Sequence, residues 1–463
     1  MPAADPALLD QGSADRELDR AIGLGAAILF VVGSVIGSGI FLTTGAMAEV
    51  MPSTSLLLLA WTLGGVLALA GGLTYAEMGA MFPRSGGVYV FLREAYGPLP
   101  AFLYGWAALL VVVSGGIAAV AVGFAEYLSY FFPALSPSVE VLRFDTGPFD
   151  VVISAGQLVA AGLIVVIGAI NYVGVRRGNM VVVVVTAAKV AALAALPIMA
   201  VVAARVEPVF TPVVPPDAAR PAAAFGIAMI AVLWTYEAWY FVTYAAGEIK
   251  DPQRNVPRAL VGGILLLTTI YLVVNVAYFL ALTLDEIRGV TRIAERAATV
   301  LVGPAGATFV ALTVVVSTFG NNVAGMLAGS RLLFGMAADG VFLPACRRVH
   351  PRYRTPHVAI IALTAWSTLL ALSGSYEQLF TYVMFASILF SVAAGLALFT
   401  LRVTRPDHPR PYRAWGYPVV PFLFVAGSAA FVVNTAIERP IESLIGLALV
   451  ALGLPAYFYW RPR

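Results

Sequence analysis

Long runs of apolar residues alternate with short polar or basic segments along the whole chain. A helix needs about 20 apolar residues to cross a hydrocarbon core of ~30 Å, and the runs have roughly that length. The pattern therefore predicts an all-α membrane protein with about twelve transmembrane helices. The predicted spans lie at residues 22–48, 54–81, 97–131, 151–172, 180–204, 222–248, 259–283, 305–336, 357–373, 376–400, 417–436 and 441–460.

Composition agrees with a membrane protein and excludes several other classes. Of the 463 residues, 60% are hydrophobic and 11% are charged, and the mean hydropathy is +0.89. A water-soluble domain could not carry so much apolar surface. The three histidines lie in or beside predicted loops, which leaves no histidine-based metal site or nucleophile–base pair within the bilayer. We expect no metal, no cofactor and no nucleic-acid partner, and an enzyme is disfavoured.

Basic residues are distributed unevenly between the two sides of the predicted membrane. Of the 28 lysines and arginines, 20 fall on one side and 7 on the other, and Lys189 lies inside a span. Cytoplasmic loops carry such an excess, so we expect both termini in the cytoplasm and the chain in the cell inner (plasma) membrane. Residues 1–21 are predicted to form a disordered tail without a cleaved signal peptide. Cys346, the single cysteine, falls in a cytoplasmic loop, which argues against a disulfide-linked heavy subunit.

Two predicted spans contain residues that interrupt a helix near mid-depth. The first span holds GSVIGSGIF (33–41), and each glycine weakens a helix interior by roughly 1 kcal/mol relative to alanine. The sixth span holds TYEAWYF (235–241), with Glu237 at its centre. Unwound backbone in lipid must line a cavity or be buried in protein, and broken helices at corresponding positions of two repeats are typical of transporters. For the first span, a glycine face that packs against another helix is the alternative.

The two breaks together indicate the chemistry of a ligand. The half-helix that begins at Ser38 or Gly39 presents free N–H groups and the positive end of its dipole, an arrangement that holds a carboxylate. Carbonyls at the end of the other half-helix, with those around Tyr236 and Glu237, accept hydrogen bonds from a cationic group. A zwitterion satisfies both requirements.

Besides GSVIGSGIF, four segments carry a family pattern: TYAEMGAMFPRSGGVYVFLREAYGPLPAFLYGW (74–106), TAAKVAALAALP (186–197), TYEAWYFVTYAAGEIKDPQRNVPRAL (235–260) and GSRLLFGMAADGVFLPACRRVHPRYRTP (329–356). They resemble the amino acid–polyamine–organocation (APC) superfamily, in particular bacterial relatives of the L-amino acid transporter (LAT) family. The resemblance implies a LeuT-type fold with a 5+5 inverted repeat and two accessory helices, and sodium-independent amino acid transport. The transport core would span residues 22–400, with repeats at about 22–204 and 222–400, and the accessory helices would lie in 401–463.

The resemblance also implies roles for individual residues. The family's carboxylate-binding backbone falls on the first span, and its amino-group-binding segment on the sixth, where Trp239 most nearly matches the gating aromatic by position. Ala238 stands where the family often has glycine, and its methyl group favours smaller neutral substrates. The substrate-binding candidates are Gly37, Ser38, Gly39, Ile40, Trp234, Tyr236, Glu237 and Trp239.

Lys189 lies about nine residues from the end of its span, or ~13 Å, close to mid-depth. Insertion of a lysine there costs roughly 2.5–3.5 kcal/mol, and its stem is too short for its head to reach the interface comfortably. By resemblance, its ammonium substitutes for the sodium ion of related transporters. The expected partners are carbonyls near Gly33 to Ile36 and the hydroxyl of Ser317 or Thr318. A fixed cation and a proton carrier both remain open.

The sequence therefore predicts a secondary transporter that exchanges neutral L-amino acids without sodium by alternating access. Proton-coupled uptake is the nearest alternative, with Lys189 or Glu237 as the carrier. A cationic amino acid or polyamine antiporter is less favoured, because Glu237 would be the single acidic group available to a multiply charged substrate. A sensor that binds amino acids without transporting them is a further alternative. The amphipathic segment 283–303 is predicted to form a lid of short helices on the outer face.

Overall fold

The computed structural model describes residues 20–145, 150–174, 178–214 and 220–460. Apart from Arg20 and Ala21, the predicted disordered tail lies outside them. The described chain is almost entirely helical, with one hairpin. In chain order the elements are α1 (Leu24–Val35), α2 (Gly39–Val50), α3 (Thr54–Met81), α4 (Val88–Tyr96), α5 (Pro98–Ala107), α6 (Val113–Leu128), β1 (Glu140–Asp145), β2 (Asp150–Ser154), α7 (Ala155–Val173), α8 (Gly178–Ala203), α9 (Pro221–Tyr236), α10 (Phe241–Tyr244), α11 (Pro252–Ala281), α12 (Leu284–Ile287), α13 (Ile293–Val302), α14 (Pro304–Ala338), α15 (His357–Ser373), α16 (Tyr376–Thr404), α17 (Val419–Glu438), α18 (Pro440–Ala451) and α19 (Gly453–Trp460).

The helices agree with a polytopic membrane protein. In the described residues, eight helical segments are long and apolar enough to cross a membrane, and the bent pair α1–α2 makes a ninth. Shorter apolar helices at Lys189–Ala203, His357–Ser373 and Ser443–Tyr459 fall on the predicted fifth, ninth and twelfth spans. The total of twelve crossings and the inverted repeat stay predictions.

Both predicted interruptions are present. The first span stops at Val35 and resumes at Gly39, and its two halves are bent by 40°. The sixth span stops at Tyr236 and resumes at Phe241, and between them Ala238 adopts a left-handed backbone with φ of 74°. An L-residue loses about 1–2 kcal/mol in that conformation relative to the right-handed one. The break in the sixth span therefore has a conformational cost at Ala238, which contacts with the surrounding structure must offset.

Tyrosine hydroxyls donate to backbone carbonyls at both breaks. Tyr271 on α11 donates to the carbonyl of Thr235 at 3.1 Å, in the last turn of α9, where a carbonyl has no partner in its own helix. Because backbone groups in a membrane interior need a partner from protein, Tyr271 stabilises the broken geometry. In the first turn of α2, Tyr278 donates to the carbonyl of Ile40 at 3.0 Å, and Tyr127 donates to that of Phe41 at 2.8 Å.

The fourth span begins later than the sequence predicts. We expected a helix from residue 151, but residues 150–154 form strand β2, which pairs antiparallel with β1. Ser154 ends the strand by capping α7: its hydroxyl accepts from the amide of Gln157, whose side chain accepts from the amide of Ser154. The apolar periodicity does not separate strand from helix at this boundary, and the local sequence signal for the start of the helix is the spacing of Ser154 and Gln157.

The segment predicted as a lid contains the short helices α12 and α13. It is fixed to the first span because the amide of Gly289 donates to the carbonyl of Gly45 at 3.1 Å. A side chain at Gly45 would meet the carbonyl oxygen of Val290 at 2.0 Å, so α2 and the lid are in backbone contact. We call this side of the molecule the lid face.

The opposite side, which we call the terminal face, carries the chain that enters α1. Ile22 and Ile249 form an isolated parallel bridge: the amide of Ile22 donates to the carbonyl of Glu248 at 3.0 Å, and the amide of Lys250 donates to the carbonyl of Ile22 at 2.8 Å. This bridge joins the start of the first span to the end of the sixth.

A buried ion cluster also lies at the terminal face. Glu77 at the end of α3 has a fully buried side chain that accepts two hydrogen bonds from Arg402 of α16, at 3.0 and 2.6 Å. Arg410 lies 3.3 Å from the same carboxylate, and the amide of Ala414 donates to it at 2.6 Å. A buried carboxylate needs such partners, so α3 is tied to the segment between α16 and α17.

Candidate functional site

A small cavity lies between the two breaks, near the middle of the molecule. Its volume is about 60 Å³, and it is enclosed by the broken first and sixth spans together with α6, α14 and α16. Glu237 is the one charged side chain among the described residues that line it. Of the candidates chosen from the sequence, the residues that line the cavity are Gly37, Ser38, Gly39, Trp234 and Glu237.

Free amides of α2 lie at this cavity. The amides of Ser38, Gly39 and Ile40 have no hydrogen-bond acceptor among the described residues. They are the first N–H groups of a twelve-residue helix, where the helix dipole is positive. This end of the cavity has the chemistry that binds a carboxylate.

The two breaks approach each other closely at Gly39. A Cβ atom there would lie 2.4 Å from the hydroxyl and 3.0 Å from the Cα of Thr235. A Cβ atom at Gly37 would have the side-chain amide of Asn321 as its nearest neighbour, at 3.4 Å. The two glycines therefore serve different purposes: Gly39 lets α2 contact α9, whereas Gly37 leaves space in the cavity.

Lys189 reaches the first break from α8. Its side chain is buried, and its Nζ donates to the carbonyls of Gly33 and Ile36, both at 2.8 Å. The structure contains no acidic partner for this ammonium within the described residues. Lys189 thus binds main-chain oxygens at the end of α1, as a bound metal cation would.

Two residues of α14 donate further hydrogen bonds to carbonyls at the end of α1. Ser317 donates to the carbonyl of Ile36 at 3.2 Å, and Asn321 donates to that of Ser34 at 2.6 Å. Thr318, the alternative candidate, donates instead to carbonyls of its own helix. Since successive residues of a helix point in different directions, only Ser317 of this pair faces the break.

Glu237 is fixed by two hydroxyl groups. One oxygen of its carboxylate accepts from Tyr240 and from Ser387 of α16, each at 2.5 Å. Glu237 also lines a second cavity of about 40 Å³ between α3, α9, α16 and α17. Its carboxylate therefore separates two small cavities and is oriented by one residue from the break and one from α16.

Three of the candidates lie away from the central cavity. The hydroxyl of Tyr236 donates to the carbonyl of Trp61, and Trp239 packs against Tyr75 at 4.9 Å between ring centroids. The side chain of Ile40 is buried, and this residue does not line the cavity, although its free amide follows those of Ser38 and Gly39. The left-handed turn at Ala238 redirects the chain here, which is why Trp239 faces α3 rather than the cavity.

Trp234 occupies the position between the cavity and the lid face. It stacks on Phe380 with centroids 5.9 Å apart, and its Nε1 donates to the hydroxyl of Tyr376 at 2.9 Å. The same hydroxyl lies 3.0 Å from the Oγ atom of Ser38. Above these contacts is a vestibule of about 930 Å³, lined by α2, α9, the lid segment and the start of α16. Trp234, not Trp239, is the aromatic residue at this boundary.

A family model described as amino acid permease matches residues 22–445. The chain belongs to the amino acid permease family. The permease is also similar over nearly its whole length to the serine/threonine exchanger SteT of Bacillus subtilis, with 31% identity over 97% of this chain and 98% of that one. It is 32% identical to the large neutral amino acids transporter small subunit 2 of rat, covering 96% of this chain and 82% of the relative. Identity to the human b(0,+)-type amino acid transporter 1 is 31%, covering 95% and 88%. These relatives are transporters rather than enzymes.

Other residues at or beside the cavity of the permease have weaker sequence signals. Tyr376 and Ser387 come from α16, about 140–340 residues from their partners, so no local pattern connects them. Asn321 bridges α14 to α1 and also lines the cavity. Gly116 of α6 lines the cavity as well.

Metal ligands do not gather in the part of the permease that the structure describes: it contains no group of three or more His, Cys, Asp or Glu side chains that could hold a metal ion. Cys346 is a free and buried thiol near the terminal face. Burial raises the pKa of the Cys346 thiol to about 11, so this residue is protonated and weakly nucleophilic at neutral pH.

Proposed function

We propose that the permease exchanges small neutral L-amino acids across the membrane without sodium, by alternating access to the central cavity. The main support is the pairing of free amides at Ser38 to Ile40 with the Glu237 carboxylate across one cavity. The amides can donate hydrogen bonds to the carboxylate of an amino acid, and the Glu237 carboxylate can accept hydrogen bonds from its ammonium group. The names of the relatives, a serine/threonine exchanger and neutral amino acid transporters, agree with this substrate class.

The size of the cavity supports the preference for small substrates. Its volume of about 60 Å³ is limited on one side by Ala238 and Glu237. A pocket discriminates against each excess methylene by about 1–3 kcal/mol, so a larger side chain requires rearrangement of this wall. The second cavity beyond Glu237 is the nearest space into which the wall can move.

Sodium independence is proposed from Lys189. Its ammonium makes the two carbonyl contacts at Gly33 and Ile36 that a cation would otherwise make at the end of α1. Because the lysine is covalently part of α8, no ion has to bind or leave there in a transport cycle. The driving force then comes from the amino acid gradients alone.

We propose that the terminal face is cytoplasmic and that the lid face is external. The excess of basic residues that the sequence predicts on this side, 20 against 7, supports this orientation, and a plasma membrane location follows for a transporter with this topology. Cys346 lies near the terminal face and is buried, so a disulfide-linked heavy subunit is not expected.

Exchange in proteoliposomes tests the proposal. Purified permease is reconstituted in a sodium-free buffer, the vesicles are loaded with unlabelled serine or left empty, and uptake of labelled serine is measured. Exchange predicts uptake that depends strongly on internal serine, and competition by other amino acids then ranks the substrates. Equal uptake in loaded and empty vesicles would refute exchange, and no flux for any amino acid would refute transport.

Proton-coupled uptake is the second candidate, and Glu237 supports it. Its carboxylate is buried and accepts hydrogen bonds from the hydroxyl groups of Tyr240 and Ser387. Because a hydroxyl group can accept as well as donate, a contact of this kind can be retained when the carboxylate gains a proton. In this case uptake into empty vesicles would follow an imposed pH gradient, and Glu237→Gln would remove that dependence. A multiply charged polyamine is less suited to the cavity, because Glu237 is its one acidic group in the described chain.

A further inference from the structure

The hydroxyl of Tyr376, at the start of α16, lies between residues of the two broken spans. Its hydroxyl accepts a hydrogen bond from Nε1 of Trp234 at 2.9 Å and lies 3.0 Å from the Oγ atom of Ser38. Since its single proton is not used toward the indole, the hydroxyl is able to donate to Ser38. One phenol thereby joins the broken first span to the broken sixth span.

The backbone at Tyr376 is fixed by the start of α16. Ser375 is the N-cap, its hydroxyl accepts from the amide of Gln378, and the Gln378 side chain accepts from the amide of Ser375. Such a reciprocal cap satisfies two N–H groups of the first turn. The ring is also held by Phe380, with centroids 5.4 Å apart. The hydroxyl is therefore presented from a defined position.

These contacts lie at the boundary between the two spaces of the molecule. Tyr376 and Phe380 line the vestibule, whereas Ser38 and Trp234 line the central cavity. Ser38 is also the N-cap of α2, so the phenol lies directly beside the amides assigned to the substrate carboxylate. The contacts of Tyr376 with Ser38 and Trp234 therefore join a residue of the vestibule wall to two residues of the cavity wall.

We propose that Tyr376 is the latch that closes the substrate cavity from the vestibule, and that each opening of the cavity breaks its hydrogen bonds to Ser38 and Trp234. Tyr376 is thus a positioning residue: it sets the balance between closed and open states without forming part of the carboxylate site. The inference rests on the proposed function only in naming the cavity as the substrate site.

Accessibility of a thiol in the cavity tests the latch without any substrate. Gly116 is a suitable position, because it lines the cavity and a Cβ atom added there has no atom within 4 Å. The variant Gly116→Cys in a Cys346→Ala background is placed in lipid nanodiscs, which expose both faces, and its rate of reaction with a water-soluble maleimide is measured. Tyr376→Phe is then added, which keeps the ring and removes the hydroxyl.

We expect Tyr376→Phe to increase the labelling rate roughly tenfold, the population change for about 1.4 kcal/mol, and Ser38→Ala, which removes one of the two bonds, to give a smaller increase. Tyr130→Phe is the matched control, since its hydroxyl contacts Thr308 on the surface, and it should leave the rate unchanged. A rate for Tyr376→Phe within twofold of the parent, or equal to that of Tyr130→Phe, would overturn the proposal. The unfolding temperature of each variant is measured as well. If Tyr376→Phe labels faster but also unfolds at a much lower temperature, the faster labelling reflects a general loss of stability, and this result would count against a latch.

Transport kinetics separate the latch from the proposed function. If the permease exchanges amino acids, Tyr376→Phe should raise KM several-fold, because the closed complex is less stable, while Tyr130→Phe should not. Faster labelling in a protein that transports no amino acid would support the latch and refute the proposed function. Normal exchange with unchanged labelling and KM would refute the latch and leave the proposed function in place.

Discussion

Replacing Lys189 by methionine tests whether the ammonium group is needed for transport or only for folding. Methionine fills a similar volume in an apolar site but cannot donate to the carbonyls of Gly33 and Ile36. Both carbonyls retain a second donor, because Asn321 lies 3.4 Å from the first and Ser317 lies 3.2 Å from the second. The substitution therefore removes the charge without leaving either oxygen unpaired.

For folding, the energy lost with the two hydrogen bonds is largely offset by the burial cost that methionine avoids. Hydrogen bonds from a charged donor contribute about 1.5–3 kcal/mol each, so two contribute roughly 3–6 kcal/mol. Burial of an ammonium group at mid-membrane costs about 2.5–3.5 kcal/mol, and methionine avoids that cost. The expected net loss of stability is roughly 0–3 kcal/mol, consistent with the small effect of replacing other buried ions by apolar residues.

Transport should respond much more strongly than folding. If the ammonium stabilises the broken first span in only part of the cycle, loss of about 3 kcal/mol from those states changes their population by about 100-fold. We expect Lys189→Met to unfold within a few degrees of the parent protein and to exchange amino acids at least 100-fold more slowly in proteoliposomes. Lys250→Met is the control, because Lys250 is the one other lysine and lies exposed on the terminal face. Exchange within threefold of the parent would refute the surrogate-cation argument.

Three further predictions concern the cavity and the thiol. Gly37→Ala should weaken substrate binding about tenfold by filling the cavity with little loss of stability, whereas Gly39→Ala should lower the unfolding temperature because its methyl group meets Thr235; equal effects of the two in binding and melting assays would contradict the distinction. Ala238→Gly should relieve the left-handed strain and reduce the discrimination between serine and larger neutral amino acids in competition assays, by roughly tenfold or more; an unchanged substrate ranking would show that this methyl group does not limit size. The thiol of Cys346, with its pKa raised to about 11, should react with maleimide about tenfold faster for each pH unit gained between pH 7 and 9; a rate that levels off near pH 8 would show that burial does not control it.

The break in the first span and the need for oxygen ligands at Lys189 were predictable from sequence because the residues that cause them are local. Residues 37–39 lack the side chains that favour a helix, and Lys189 in an apolar run requires oxygen ligands nearby. Both signals concern the free energy of placing particular groups in a membrane. They do not depend on which distant helix lies beside them.

The assignment of aromatic residues at the sixth span was not predictable in the same way. Trp234 and Trp239 lie five residues apart, and which of them faces the cavity depends on the backbone between them. The positive φ of Ala238 changes that direction, although an alanine in sequence gives no sign of it. Tyr376 was not among the sequence candidates for another reason: its contacts join three helices that are distant in sequence.

The bridge between Ile22 and Ile249 has a consequence for how the molecule tolerates mutation. Its two hydrogen bonds join main-chain atoms only, so an alanine scan of this face would not detect it. Sequences can diverge freely at these positions and still retain the link between the first and sixth spans. Proline at residue 22 or 250 removes one amide donor, which makes it the substitution that exposes how much the link contributes.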